Sequence, residues 1–145
     1  MLVRICYNRR IGLGVEAVTM IPQGTQVLYY DGNVWSTVKA HQHGQGRQSH
    51  FRTIRGTGCT IDGSYDILFP DEPNPNLSRI YQVPCGIMSL TNSSEGYKPP
   101  NCMVHYDEND PRQYVNGEWL NTTAWLITTR DINPGEEIIW NYLVR

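Results

Sequence analysis

Apolar and polar positions alternate from Leu2 to Tyr7 and the alternation breaks at Asn8-Arg9-Arg10, which predicts a first β-strand closed by a turn. In Gly12-Leu13-Gly14-Val15-Glu16-Ala17, two glycines bracket one residue and permit a backbone approach that a Cβ would block. Met20 to Gly32 reads as turn, strand, turn, with Pro22-Gln23-Gly24 before the apolar run Val27-Leu28-Tyr29-Tyr30. Ser36 to Gly46 holds the one segment suited to a short helix. Ser49 to Ile54 and Gly58 to Asp62 read as a hairpin across Arg55-Gly56-Thr57-Gly58. Residues 64–84 contain Pro70-Asp71-Glu72-Pro73-Asn74-Pro75, too rich in proline for ladder or helix, and are expected to be a surface insertion.

Gly86 to Ser94 is an apolar half-turn that ends in small polar residues, among them Asn92, whose amide can donate and accept from one position. Cys102 to Tyr106 and Ala124 to Thr129 look like an antiparallel pair, joined by a polar connection that includes Asn116-Gly117. The last unit, Arg130 to Tyr142, has the same plan as Met20 to Gly32: an isoleucine, a Pro-Gly reversal, an apolar strand and a tyrosine. Its strand should be buried, delivering Tyr142 to the interior with a hydroxyl that needs a partner.

Composition narrows the class. A length of 145 residues fits one domain spanning 1–145, and thirteen glycines, nine prolines and nine tyrosines favour short strands and frequent turns over a helical bundle. A net charge of −2 with no basic run argues against nucleic acid as a direct partner. The N-terminal residues lack the apolar core of a secretory signal and no run approaches a membrane span, so a soluble intracellular protein is expected. Cys6, Cys59, Cys85 and Cys102 form no Cys-x-x-Cys pair, which excludes a zinc ribbon. His41 and His43, with His50 or Cys59, form the one conceivable metal set, but no carboxylate or cysteine pair supports it and no metal is expected. Asn76, Asn92 and Asn121 fit the glycosylation pattern and read as chance triplets.

Four stretches in this order resemble the SET domain of protein lysine methyltransferases, including its PR-domain branch. Arg10 to Ala17, with Ile21-Pro22-Gln23-Gly24 and Tyr30-Asp31-Gly32, is similar to the opening Gly-x-Gly-Val-x-Ala, Ile-x-x-Gly and Tyr-x-Gly. Cys59-Thr60-Ile61-Asp62-Gly63 resembles the central Ile-Asp-Ala/Gly strand. Met88 to Ser94 with Pro100-Asn101 resembles the Asn-His-Ser…Pro-Asn stretch, and Ile132 to Tyr142 the closing Ile-x-x-Gly-Glu-Glu-Leu-x-x-Asp-Tyr. The resemblance implies a mainly β, β-clip-like fold of several small sheets with a C-terminal pseudo-knot and few short helices. It implies transfer of a methyl group from S-adenosylmethionine to a lysine of a protein or peptide, a histone tail among the candidates, in the nucleus. Tyr142 would then be catalytic. Gly12, Leu13, Gly14, Tyr30, Asn92 and Ser93 would hold the cofactor, and His50, Phe51, Leu90 and Trp140 would line the lysine channel.

The chain departs from the family pattern in several places. Ser93 stands where the family has histidine, Ser89-Leu90 where it has Arg-Phe, and Asn141 where it has an acid. Asn92 to Asn101 is three residues longer than usual, and His50-Phe51 is the best match to a second channel tyrosine. With the sequence ending three residues after Tyr142, the insertion, another chain (a second copy included) or the peptide itself must close the channel. These departures leave an alternative: a catalytically silent SET- or PR-like module that binds a protein partner.

Overall fold

The computed structural model describes residues 2–8, 11–30, 33–43, 51–54, 57–62, 87–115 and 117–143. The expected insertion at 64–84 and His50 lie outside the described residues. Strand β1 (Val3–Asn8) pairs antiparallel with β2 (Gly12–Ala17), from Val3 opposite Ala17 to Asn8 opposite Gly12. Gly12 opens β2 at φ 87°, a conformation that a side chain resists. The next strand, β3 (Gln26–Tyr29), joins a three-stranded antiparallel sheet in the order β3-β11-β8, with β8 at Cys102–Asp107 and β11 at Thr123–Thr128. As the central strand β11 is covered on both faces, which explains why Thr123, Ala124, Trp125 and Leu126 are all buried in succession.

A second three-stranded sheet has the order β4-β6-β5, from β4 (Asn33–Ser36), β5 (Phe51–Ile54) and β6 (Cys59–Asp62). The β5–β6 hairpin is the one read from the Gly-rich turn. Helix α1 (Thr37–His43) follows β4 in the segment suited to it. The Gly86–Ser94 half-turn contains a 3-10 turn at Ile87–Leu90 and then the two-residue strand β7 (Asn92–Ser93). The polar connection before β11 is not structureless: β9 (Gln113–Val115) and β10 (Glu118–Leu120) form a hairpin around Gly117, at φ 87°.

The two Pro-Gly units that echo each other in sequence meet in space. Ile21 and Ile132 exchange both backbone hydrogen bonds, each 2.8 Å, and Gly24 and Gly135 turn the chain at φ 81° and 83°. The last strand, β12 (Ile139–Trp140), pairs in parallel with β7, Ile139 opposite Asn92 and Trp140 opposite Ser93. Asn101 N–H also donates to Ile139 O at 2.9 Å, and Ser94 N–H to Trp140 O at 3.0 Å. The last strand is therefore bonded to both ends of the 94–101 connection, a knot-like crossing of the kind that the sequence resemblance implies. Val15, Ala17, Ile21, Ile54, Ile61, Met88, Ile132 and Ile138 bury their side chains in one core behind this crossing.

Candidate functional site

The crossing is held by an amide and a carboxylate on neighbouring segments. Asn101 is 2% exposed; its Nδ2 donates to Glu137 O at 2.7 Å and its Oδ1 accepts from Ile139 N–H at 2.9 Å. A side chain thus stands in for one more rung of a β-ladder, leaving the last strand's backbone satisfied. Glu137 sits beside it with a side chain only 9% exposed. Its Oε2 accepts from Asn92 Nδ2 at 2.7 Å, its Oε1 accepts from the Tyr97 hydroxyl at 2.5 Å, and Lys98 Nζ lies 3.8 Å from Oε1. Asn92 Nδ2 also donates to Leu13 O at 3.1 Å, tying β7 to the Gly-x-Gly strand.

The role of Gly14 follows from this packing. A Cβ there would come within 2.9 Å of Asn92 Nδ2 and 3.0 Å of Glu137 Oε2, so glycine is what lets the three segments close on one another. Around Asn92 lies an open cleft of about 300 Å³, lined by Ile11, Asn92, Ser93, Glu95, Gly96 and Tyr97. That volume is at the small end of sites for drug-sized ligands, and its wall mixes amide, hydroxyl, carboxylate and aromatic groups.

Tyr142 closes the other side of Asn92's strand. Its hydroxyl donates to Thr91 O, and its backbone N–H donates to Ser93 Oγ at 3.3 Å. Burial, followed by the charges of Glu95 and Glu137, pushes the phenol up to about 12, so it stays neutral at physiological pH. Trp140 donates from Nε1 to Thr91 Oγ1 at 2.6 Å, and its ring centre lies 4.7 Å from that of Tyr142. Thr91 thereby fixes both aromatic side chains.

The structure brings Gly14, the Leu13 carbonyl, Asn92, Ser93, Trp140 and Tyr142 into one neighbourhood. Gly12 begins the same strand, and the Leu13 side chain is exposed. Leu90 is buried in the core at 5% exposure. Tyr30, at 4%, belongs to the same core, and its carbonyl accepts from Gln113 Nε2 at 2.8 Å; it does not line the cleft. Phe51 starts β5, opposite Asp62. Among the described residues, no group of three or more His, Cys, Asp or Glu is placed to hold a metal.

Three contributors were not singled out from sequence. Glu137 lies inside the quoted Gly-Glu-Glu motif, yet only its contacts reveal it as the carboxylate that holds Asn92. Tyr97 reaches it from the stretch that lengthens the Asn92–Asn101 spacing. Arg52 is the third: 8% exposed, it stacks its guanidinium carbon 5.2 Å from the Trp140 ring centre and 5.4 Å from that of Tyr106. Its Nε and Nη2 are buried and meet no acceptor among the described residues. An arginine on an alternating strand gives no local sign that rings from distant segments will cover it.

A family model for the SET domain matches residues 12–143. No curated protein sequence matches the chain. Three solved structures similar to it share 14–20% identity with it, a likeness of fold alone. One is a humanized mutant of the Chaetomium thermophilum Polycomb Repressive Complex 2 bound to an inhibitor, at 20% identity and a TM-score of 0.62, covering 97% of this chain and 15% of that one. A second is ATXR5 in complex with a methylated histone H3.1, at 19% identity and a TM-score of 0.63, covering 99% of this chain and 58% of that one. A third, a Plasmodium falciparum protein described as a candidate histone methyltransferase, has 14% identity and a TM-score of 0.60, with 99% of this chain and 95% of that one covered. The chain therefore spans less than two thirds of each of the first two.

Proposed function

The chain belongs to the SET-domain family, and from that premise we propose that it is an S-adenosylmethionine-dependent protein lysine methyltransferase. The observation that carries the reading is that Tyr142 bonds to Thr91 and Ser93, the residues on either side of Asn92, next to an open polar cleft that Asn92 and Ser93 line. The cofactor, when bound, supplies an electrophilic methyl group carried on a sulfonium. The residues present fit it: the cleft is polar where Asn92 and Ser93 line it, and Gly14 lets the neighbouring strand lie against Asn92.

Methyl transfer to an amine is an in-line displacement that needs alignment and exclusion of water rather than a protein nucleophile. Cys6 and Cys102 fit no such role: burial pushes Cys6 up to about 11 and Cys102 up to about 12, so both stay protonated. Tyr142 acts as a neutral phenol. Because its proton is committed to Thr91 O, its oxygen lone pairs remain available to orient the amine and the transferred methyl. Trp140 forms an apolar wall beside it, and Glu137 holds Asn92 in place through a bond to its Nδ2. The substrate in this reading is a lysine-bearing protein or peptide, with histone tails the first class to try because similar folds act on or bind histones. That would place its work in the nucleus.

Calorimetry with S-adenosylmethionine, paired with radiolabelled methyl transfer to histones and to lysate proteins, tests the proposal. Cofactor binding and transfer to lysine are expected. Tyr142→Phe should lower turnover by roughly 100-fold while cofactor affinity changes by less than about threefold. No binding together with no transfer overturns the reading; binding without transfer to any lysine marks the silent module of the same family.

A further inference from the structure

Two carboxylates act on the Tyr142 hydroxyl, and they are shielded very differently. Glu137 is enclosed: Asn92 Nδ2, the Tyr97 hydroxyl and the Lys98 ammonium all face it, and the Lys98 nitrogen also lies 5.0 Å from the Tyr97 ring centre. Its charge is answered within the protein. Glu95 is exposed, lines the cleft, and has no hydrogen bond or ion pair among the described residues. Its charge is felt at Tyr142 ahead of that of Glu137. It stands between Asn92 and Asn101, in the connection that the last strand is bonded to at both ends. Glu95 thus supplies the cleft with one negative charge that no group among the described residues neutralises.

The ligand class follows from that charge, and the argument rests on the cofactor reading above. Methyl transfer forms an N–C bond from the lysine lone pair and breaks the S–C bond with its electron pair retained by sulfur; the surplus nitrogen proton leaves to water. The methyl-donor cofactor and its demethylated product thus share adenosine, α-ammonium and α-carboxylate and differ by one methyl group and one positive charge. We propose that Glu95 is a specificity residue that makes this cleft bind the cationic sulfonium form more tightly than the neutral thioether. The charge favours loading of the donor and release of the product, because the attraction disappears when the methyl group leaves. Lys98 does not cancel it, since that ammonium is engaged at Glu137.

The test is calorimetric titration of the wild-type protein, Glu95→Gln and Glu95→Asp with three ligands. These are S-adenosylmethionine, S-adenosylhomocysteine and the analogue carrying a protonated amine in place of the methylsulfonium. Glu95→Gln should weaken the two cationic ligands about three- to tenfold and leave the thioether within about twofold, the size expected for one charge at close range in a solvent-exposed cleft. Glu95→Asp should keep most of the preference. The preference should shrink as salt is raised toward about 1 M, where the Debye length falls to roughly 3 Å. An exposed Glu-to-Gln change leaves the core untouched, so folding does not confound the comparison. Binding of both natural ligands with their affinity ratio unchanged in Glu95→Gln overturns this inference alone. Failure of both to bind the wild-type protein overturns the cofactor reading and this inference with it.

Discussion

Two polar centres touch the last strand. Around Ile139, Asn101 and Glu137 bury an amide and a carboxylate in which the oxygens and the amide nitrogen meet partners at 2.5–2.9 Å. Against Trp140, Arg52 buries a guanidinium whose faces are covered by two rings while Nε and Nη2 meet no acceptor among the described residues. Burial alone does not decide what a polar group contributes. A satisfied network in a low-dielectric interior holds its members in one arrangement, whereas an unmatched charge carries its desolvation cost with little in return. The first centre is therefore where the crossing draws its stability, and the second is tolerated rather than required.

The largest effect is expected at Asn101. Asn101→Ala removes both side-chain bonds and strands the buried Ile139 N–H and the half-buried Glu137 carbonyl. At about 1–3 kcal/mol for each orphaned group, urea unfolding should show a loss of about 3 kcal/mol. A loss below about 1 kcal/mol would mean that the amide does not hold the crossing. Gly14→Ala comes next. Its Cβ would push on Asn92 Nδ2 and Glu137 Oε2 from 2.9 and 3.0 Å, and both are the ends of side chains that can shift. Stability should fall by about 1–2 kcal/mol. Affinity for S-adenosylmethionine, followed by calorimetry, should fall about tenfold because the displaced group is the amide assigned to the cofactor. Unchanged affinity with reduced stability would separate Asn92 from that role.

How far these features could be read in the sequence depends on how local their causes are. The Pro-Gly reversals at Pro22–Gly24 and Pro134–Gly135 were visible because turn chemistry resides in the turn residues themselves. Helix α1 and the β5–β6 hairpin were visible for the same reason. That Ile21 and Ile132 pair was not, since a register between distant segments is set by the core they jointly cover. The β9–β10 hairpin escaped because three-residue strands carry too little periodicity, although Asn116-Gly117 marked its turn. Asn92 and Tyr142 are marked by their residue types and positions and given roles by the family resemblance, whereas the closing of Tyr142 on Thr91 and Ser93 required the crossing. Glu95 and Tyr97 drew no notice because a lengthened spacing says that something is inserted but not which way it faces. Arg52 was silent for the opposite reason: its strand was read correctly, and its surroundings come from Tyr106 and Trp140 far along the chain.

Arg52→Met should give the smallest effect and the sharpest check on the comparison. Methionine retains an unbranched apolar stem of similar reach between the Trp140 and Tyr106 rings and adds no donor to satisfy. The substitution forgoes two cation–π contacts, each worth about 0.5–2 kcal/mol. It also removes a buried charge with two donor groups that meet no acceptor among the described residues, whose penalty in a protein interior runs to several kcal/mol. The two contributions nearly cancel or favour the variant, so the urea midpoint should stay within about 1 kcal/mol of the wild type or rise. A loss of more than about 2 kcal/mol would show that the guanidinium edges find acceptors after all. The two centres would then be alike, and the stability of the last strand would rest on Arg52 as much as on Asn101.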